Sequence, residues 1–357
     1  MEAVALSRVQ KRGVASPWEE VNACPLCAAR QEEELLTVPA TDGEEFYRLV
    51  RCGQCGLGYQ NPRPTPASIS RFYPVDYECY QPRSAKRTPG LIGKLRSNLE
   101  RIVLAYYYGV PPLLKSPLSR CLAIAAGPWF RPSQTSLGAI PYTGEGRLLD
   151  FGCGAGWYAH RMRMRGWNVT GMDFSIHAAR QTSHRFGIPV LLGTFPHPQV
   201  PPQSFDVITM GQVLEHVHEP QRVVQAAAEA LRPGGLLVIS VPNLDSWGYR
   251  FFGSAWSPLD LPRHLIHFTP DSLRRMVEQA GLEITYLKAL GHTRWMGRTL
   301  EAALRRHPGG IGKALLACCQ RSRILTSLLT RCCTWAGKAD CIVLMARRRV
   351  TSTSMAA

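Results

Sequence analysis

The stretch Gly146-Arg-Leu-Leu-Asp150-Phe-Gly152-Cys-Gly154-Ala-Gly156 decides the fold. Leu148 to Phe151 reads as a buried strand, three glycines follow at alternate positions, and Trp157 to Arg165 suits a helix ended by Gly166. Working outward, Trp167 to Met172 is a second strand closed by Asp173, and Ser175 to Phe186 a helix ended by Gly187. Val190-Leu-Leu, Phe205 to Met210 and Leu236 to Val241 read as the third, fourth and fifth strands, with a helix over Glu219 to Leu231. Thr269-Pro270-Asp-Ser caps another helix, Leu282 to Leu290 is a sixth strand, helices fill about 295–335, and Cys341 to Ala346 is a final strand. Strands alternating with helices predict a parallel sheet covered on both faces.

A glycine-rich turn between a strand and a helix lets backbone approach a ligand closely. Asp173, ending the next strand, can accept hydrogen bonds from two ribose hydroxyls. A nicotinamide dinucleotide competes for this site, because Gly154-Ala-Gly156-Trp-Tyr-Ala159 satisfies the dinucleotide fingerprint. Two features tip the choice. Asp150 precedes the first glycine, where it can meet an amino-bearing cation and would repel a pyrophosphate, and Gly152 extends the glycine run back into the strand end.

Together with Gly171-Met-Asp173, Phe205 to Val217, Leu231-Arg-Pro-Gly234-Gly235-Leu and Val241-Pro-Asn243, the chain resembles the class I S-adenosylmethionine-dependent methyltransferases. The match covers about 146–290. The resemblance implies a Rossmann-like α/β sheet of seven strands whose last strand, Cys341 to Ala346, is an antiparallel insertion. It implies methionine-moiety contacts at Asp150, Gly152, Gly154 and the adjoining Gly156, ribose at Asp173, and adenine packing near Phe174, Gly193 and Thr194. Gln212 would lie beside the sulfonium. Cys153 reads as a small packing residue.

Two matched knuckles, Cys24-Pro-Leu-Cys27 and Cys52-Gly-Gln-Cys55, suit tetrahedral zinc, each presenting two thiolates from one tight turn. Nothing in the segment suggests an open coordination position, so the zinc is expected to be structural. Cys52 to Pro64 also resembles a zinc ribbon that precedes methyltransferase domains related to the ubiquinone-biosynthesis O-methyltransferases; sugar C-methyltransferases carry an N-terminal cysteine-bound zinc as well. The aromatics Phe72, Tyr73, Tyr77 and Tyr80 would line a substrate mouth or pack between domains. Cys318-Cys319 and Cys332-Cys333 are expected to face the core as small apolar residues.

Methyl transfer from a sulfonium is an in-line displacement governed by positioning, and an oxygen acceptor also benefits from a general base. Four histidines lie near the carboxyl edge: His216 and His218 after strand four, His264 and His267 after strand five. Leu259 to Phe268 resembles a motif of the zinc-ribbon methyltransferases. His264 is expected as base or acceptor ligand, Arg263 at an anionic group of the acceptor, and His216 as the second candidate; His218 and His267 read as structural. Met210-Gly211-Gln212 is not the Asp/Asn-Pro-Pro-Tyr of exocyclic amine methylation, and no Pro-Cys nucleophile follows strand four. O-methylation of a small-molecule, glycan or lipid-linked acceptor leads, followed by sugar C-methylation, RNA methylation and a non-catalytic S-adenosylmethionine-binding module.

The 357 residues are 45% hydrophobic and 19% charged, enough to bury a core and to exclude a wholly disordered chain. Met1 to Glu20 has no apolar run, so a reducing cytosol is the expected compartment for the 12 cysteines. A net charge of +16 favours an anionic partner. Much of that charge falls in the tail from Arg294. On a helix from Ile311 to Trp335 one side would carry Lys313, Arg321, Arg323 and Arg331, the other Leu315, Cys318, Leu325, Leu329 and Cys332. The pattern fits a helix packed on the domain with a solvated basic face, or peripheral contact with an anionic membrane; nucleic acid is less favoured, because the aromatics are not interleaved with the basic residues as a stacking platform would need. The expected organisation is a tail (1–20), zinc ribbon and aromatic linker (21–80), basic helical connector (81–142), methyltransferase domain (143–349, helical insertion about 295–336) and tail (350–357).

Overall fold

A computed structural model describes residues 16–39, 46–74, 117–126, 140–306 and 310–350, together with helical positions Leu91, Leu95, Leu99, Ile102 and Val103. Tyr77, Tyr80 and most of the connector expected over 81–142 lie outside the described residues.

The N-terminal part contains β1 (Trp18–Glu19), β2 (Glu32–Pro39), β3 (Phe46–Cys52), β4 (Gly58–Gln60) and β5 (Arg63–Pro64). The remainder supplies β6 (Arg147–Phe151), β7 (Asn168–Asp173), β8 (Val190–Leu192), β9 (Phe205–Gly211), β10 (Leu231–Pro242), β11 (Ile266–His267), β12 (Leu282–Leu290) and β13 (Cys341–Arg348). Helices are α1 (Pro117–Ala126), α2 (Trp157–Met164), α3 (Ile176–Phe186), α4 (Pro220–Ala230), α5 (Trp247–Phe252), α6 (Pro270–Gln279), α7 (Thr293–Arg306), α8 (Gly310–Arg321) and α9 (Arg323–Trp335).

Seven strands form one sheet in the order β12-β13-β10-β9-β6-β7-β8. β13 runs antiparallel to both β10 and β12, as expected for an inserted last strand. Neighbouring residues point to opposite faces of a strand. Leu148, Val207 and Val238 therefore join Met162 and Trp167 in one core, while Leu149, Ile208 and Ile239 join Val224, Leu273 and Met276 in the other. Burial on both faces is what makes these strands read as continuous apolar runs.

The cysteine-rich part builds a sheet of its own in the order β11-β4-β3-β2. Its fourth strand comes from the far side of the chain: Ile266 pairs with Tyr59 and His267 with Gly58. Leu26, Val50, Leu57 and Tyr59 share one continuous core with the large sheet.

The helical insertion departs from expectation. Ser322 breaks the helix expected over Ile311 to Trp335, its hydroxyl accepting from Leu325 N and capping α9. Cys333 is buried, but Cys318 and Cys332 are exposed, so the core placement expected for both cysteine pairs fails for one member of each. The inner face of α9 is taken by Thr326, Thr330 and Cys333, leaving Leu325 and Leu329 outside. Among the described residues, no helix is long and apolar enough to cross a membrane.

Candidate functional site at the carboxyl edge of the sheet

β6 ends in the glycine turn. Gly152, Gly154 and Gly156 all have positive φ, at 73°, 50° and 74°. A Cβ on Gly152 would lie 2.5 Å from Val213 Cγ2, and one on Gly156 2.5 Å from Thr182 Cγ2. All three glycines therefore answer a backbone conformation, and Gly152 and Gly156 a lack of space as well, so that the turn forms a cradle of backbone. Asp150 is buried at its lip, where Thr209 Oγ1 donates to Oδ1 at 2.9 Å. Burial pushes the Asp150 carboxyl up to about 7. A cationic amino group is the kind of ligand that would restore its charge. This cradle fits the methionine end of S-adenosylmethionine. The Cys153 thiol is buried and pushed well up by that burial, which suits packing against Gly171 and not nucleophilic attack.

Asp173 ends β7, and both its oxygens are engaged by backbone. Gly154 N donates to Oδ2 at 2.8 Å and Ser175 N to Oδ1 at 2.9 Å. A carboxylate accepts at about four positions, so capacity remains for ribose hydroxyls beside this stapling of the loop. Burial raises its pKa and the two amides oppose that rise. Phe174 is half exposed, and Tyr73 stands edge-on to it with ring centroids 5.4 Å apart. Gly193 N donates to Asp173 O at 2.9 Å, which holds the turn carrying Thr194 beside the same pocket wall.

After β9 the chain turns sharply at Gln212, a non-glycine residue with φ 57°. Gln212 Nε2 donates to Ser240 Oγ at 3.2 Å, which fixes the side chain across the ends of β9 and β10. Glu215 follows. It is fully buried, neither carboxylate oxygen has a hydrogen-bond partner among the described residues, and burial pushes it up to about 8. Its carboxylate and ring nitrogens of His216 and His264 all lie within 4.8 Å of one another, a set able to hold a divalent cation. Glu215 is not among the site residues expected from the sequence. An acid beside a histidine directly after the fourth strand was the available signal.

His264 Nδ1 lies 2.8 Å from Pro258 O, so Nδ1 carries the proton and Nε2 presents its lone pair. Burial and the neighbouring His216 hold its pKa well below the ordinary value, so the ring is neutral. His216 Nδ1 is 2.7 Å from the Tyr73 hydroxyl and 3.1 Å from Arg263 O, and burial lowers it to about 4. Tyr73 is thus brought to the histidine pair from the cysteine-rich part. Arg263 was expected at an anionic group of the acceptor. Its guanidinium makes a two-pronged pair with Asp260, and Nη1 donates to Phe72 O at 3.4 Å. His218 and His267 donate to the backbone oxygens of Pro64 and His264, at 2.9 and 3.1 Å.

The four ribbon cysteines converge as their spacing predicts. Cys24 Sγ is 3.5 Å from Cys55 Sγ, and Cys27 Sγ 3.5 Å from Cys52 Sγ. Sulfurs about 2.3 Å from a tetrahedral zinc stand roughly 3.8 Å apart, so the thiols fit that ion with a small relaxation. Each knuckle closes through a residue with positive φ, Ala28 at 58° and Gly56 at 73°. Burial pushes the Cys24 thiol up to about 11 and raises Cys55 further. A dication would reverse both shifts by binding the thiolates.

A family profile described as "Methyltransferase domain" matches residues 117–287. The chain is 34% identical over 154 residues to the ubiquinone biosynthesis O-methyltransferase of Idiomarina loihiensis, covering 38% of this chain and 61% of that protein. Against the protein of the same name from Chromobacterium violaceum, identity is 32% over 158 residues, covering 41% and 68%. The Azoarcus sp. protein gives 33% over 156 residues, covering 40% and 67%. The chain thus spans about three fifths to two thirds of the length of the curated relatives it matches. A parallel sheet with one antiparallel strand inserted next to last, a three-glycine cradle under a buried aspartate, and this span of sequence identity place the chain in the class I S-adenosylmethionine-dependent methyltransferase family.

Proposed function

We propose that the chain methylates an oxygen of a small-molecule acceptor with S-adenosylmethionine, and that a structural zinc at Cys24, Cys27, Cys52 and Cys55 holds the ribbon. The observation that carries this reading is the His216–His264–Glu215 cluster after β9, with His264 and Glu215 buried and His216 half-buried. Bound there, the cofactor would supply an electrophilic methyl group on a sulfonium. Asp150 would meet its amino group, the turn of Gly152, Gly154 and Gly156 its methionine portion, Asp173 its ribose, and Phe174, Gly193 and Thr194 its adenine, with Gln212 beside the sulfur. His264, neutral with Nε2 unprotonated, would accept the proton from the acceptor hydroxyl as the new C–O bond forms. His216 would orient the acceptor, with Tyr73 holding the imidazole. Arg263 would act through Asp260 and Phe72, positioning the loop that carries His264.

Kinship with ubiquinone biosynthesis O-methyltransferases supports an aromatic or lipid-linked hydroxyl acceptor; a glycan acceptor and sugar C-methylation are alternatives on the same residues. A labelled-methyl assay on fractionated cell extract distinguishes them by whether label enters lipid, sugar or RNA. On the acceptor so identified, His264→Ala should retain cofactor affinity and lose turnover by about 10²–10⁴-fold, the range for a general base. Full turnover in that variant would remove His264 from the reaction.

A further inference from the structure

We infer that α9 is a docking face for an anionic lipid surface. The helix is turned opposite to the usual amphipathic arrangement. Its inner face carries Thr326 and Thr330, both buried, and Thr334. These hydroxyls need no outside partner. Thr326 Oγ1 donates to Cys319 O at 2.7 Å, Thr330 to Thr326 O at 2.7 Å, and Thr334 to Thr330 O at 2.8 Å. Threonines satisfied in this way pack as small groups. They let the helix settle on the end of β12, where Gly291 N donates to Thr334 Oγ1 at 3.0 Å and a side chain on Gly291 would collide with Thr330.

The apolar residues of α9 therefore face out. Ile324 is 73% exposed, Leu328 50% and Trp335 92%. At 100° per residue these three fall within one narrow stripe, with Leu325 and Cys332 beside it. Scattered exposed apolar residues are ordinary, but several aligned on one helix face mark a contact. The surrounding charge selects the partner. Arg331 is exposed in line with these residues, between Leu328 and Trp335, exposed Arg321 and Arg323 stand at the start of the helix, and no acidic residue occurs between Glu301 and Asp340. A helix with an apolar stripe, flanking arginines and a tryptophan at its end matches the chemistry of a helix lying in the headgroup region of an anionic bilayer. α9 packs at Gly291, which follows the carboxyl end of β12, so it lies at the same edge of the sheet as the glycine cradle. Docking there would bring the catalytic edge toward the lipid surface. This inference does not depend on which acceptor is methylated.

The test is co-sedimentation of the full chain with vesicles of phosphatidylcholine alone and of equimolar phosphatidylcholine and phosphatidylglycerol, at low and high salt. Binding is expected only to the anionic vesicles and only at low salt. Each of Arg321→Ala, Arg323→Ala and Arg331→Ala should lower the partition coefficient by about fivefold. Leu328→Asp should lower it by about tenfold or more, with the melting temperature unchanged because the side chain is outside the core. Equal recovery in the supernatant with both vesicle types would overturn the inference. So would anionic binding that survives Leu328→Asp together with Trp335→Ser, which would make the basic surface a charge site only, such as one for RNA. A dimer seen by sedimentation velocity and broken by Leu328→Asp, without vesicle binding, would assign the stripe to a second copy of the chain.

Discussion

Asp173→Ala separates the stapling of the glycine turn by this carboxylate from the ribose contact proposed for it. Its carboxylate accepts from Gly154 N at 2.8 Å and Ser175 N at 2.9 Å, which joins the glycine turn to the start of α3. Truncation leaves two amides without an acceptor. Orphaning a buried donor costs about 1–3 kcal/mol, so the pair puts the loss at roughly 2–6 kcal/mol. At about 2–4 °C per kcal/mol for a domain of this size, the melting temperature should fall by several degrees to ~20 °C. Cofactor affinity should fall separately. A lost charge-assisted ribose contact of about 1.5–3 kcal/mol is a roughly 10- to 150-fold rise in Kd. Asp173→Asn keeps one carbonyl acceptor but turns an amide donor toward the other backbone N–H, so it should fall between wild type and alanine. Thermal melting of the unliganded chain and calorimetry with S-adenosylmethionine read the two effects independently. An unchanged melting temperature with weakened binding would refute the stapling role; unchanged binding with a lowered melting temperature would refute the ribose role.

Three further outcomes follow from the same geometry. Burial pushes Asp150 up to about 7, and the ligand amino group proposed to meet it would favour its anion. An acid raised on folding keeps its proton to higher pH, so calorimetry should show cofactor affinity rising with pH up to about 7 and falling above about 8 as the ligand's own α-amino group deprotonates; Asp150→Asn should abolish the rising limb. Purified protein should carry about one tightly held zinc per chain at a Cys₄ site, and Cys52→Ser should lose it, as read by elemental analysis; unchanged zinc content would sink the assignment. Tyr73→Phe removes the hydroxyl 2.7 Å from His216 Nδ1. It should lower kcat by about 3- to 10-fold, as expected for one hydrogen bond, with cofactor affinity unchanged.

The parts of this molecule legible in its sequence are those where one residue type answers one local demand. Leu148 and Leu149 had to be apolar together because β6 is buried on both faces, and that run read correctly as a strand. The glycines at 152, 154 and 156 read correctly because each has positive φ, which few other residues adopt cheaply. What did not read was set by partners distant in sequence. β11 is two residues long and carries no periodicity; it exists because Tyr59 and Gly58 pair with it. The pairing of Arg263 depends on the backbone at Asp260, which turns through φ 36° and brings its carboxylate back to the guanidinium. In α9 the pattern of leucines and threonines is amphipathic whichever side packs. The hydroxyl bonds to preceding carbonyls decided that the threonine side went in.

The short strand β11 also explains why a cysteine ribbon belongs to this fold. Leu265, between His264 and Ile266, is hydrogen-bonded in both directions: its N–H donates to Glu215 O at 2.8 Å and its carbonyl accepts from Gln60 N at 2.9 Å. Gln60 ends β4, which begins three residues after Cys55. A second link runs from β5, where Arg63 Nη1 donates to His218 O at 2.9 Å and His218 donates to Pro64 O. The cysteine knuckle thus lies within a few residues of backbone that grips the loops bearing Glu215, His216 and His264. The gap between β3 and β4 is short, so a zinc that closes it would limit how far β4 could shift along β11. A shift of one residue in a strand turns every side chain to the opposite face. His264 precedes β11 by two residues, so a slip there would carry its Nε2 out of the cluster. Fixing the ribbon would therefore fix the imidazole, and a metal that closed the cysteine site would serve the geometry of the proposed site beside the cofactor cradle.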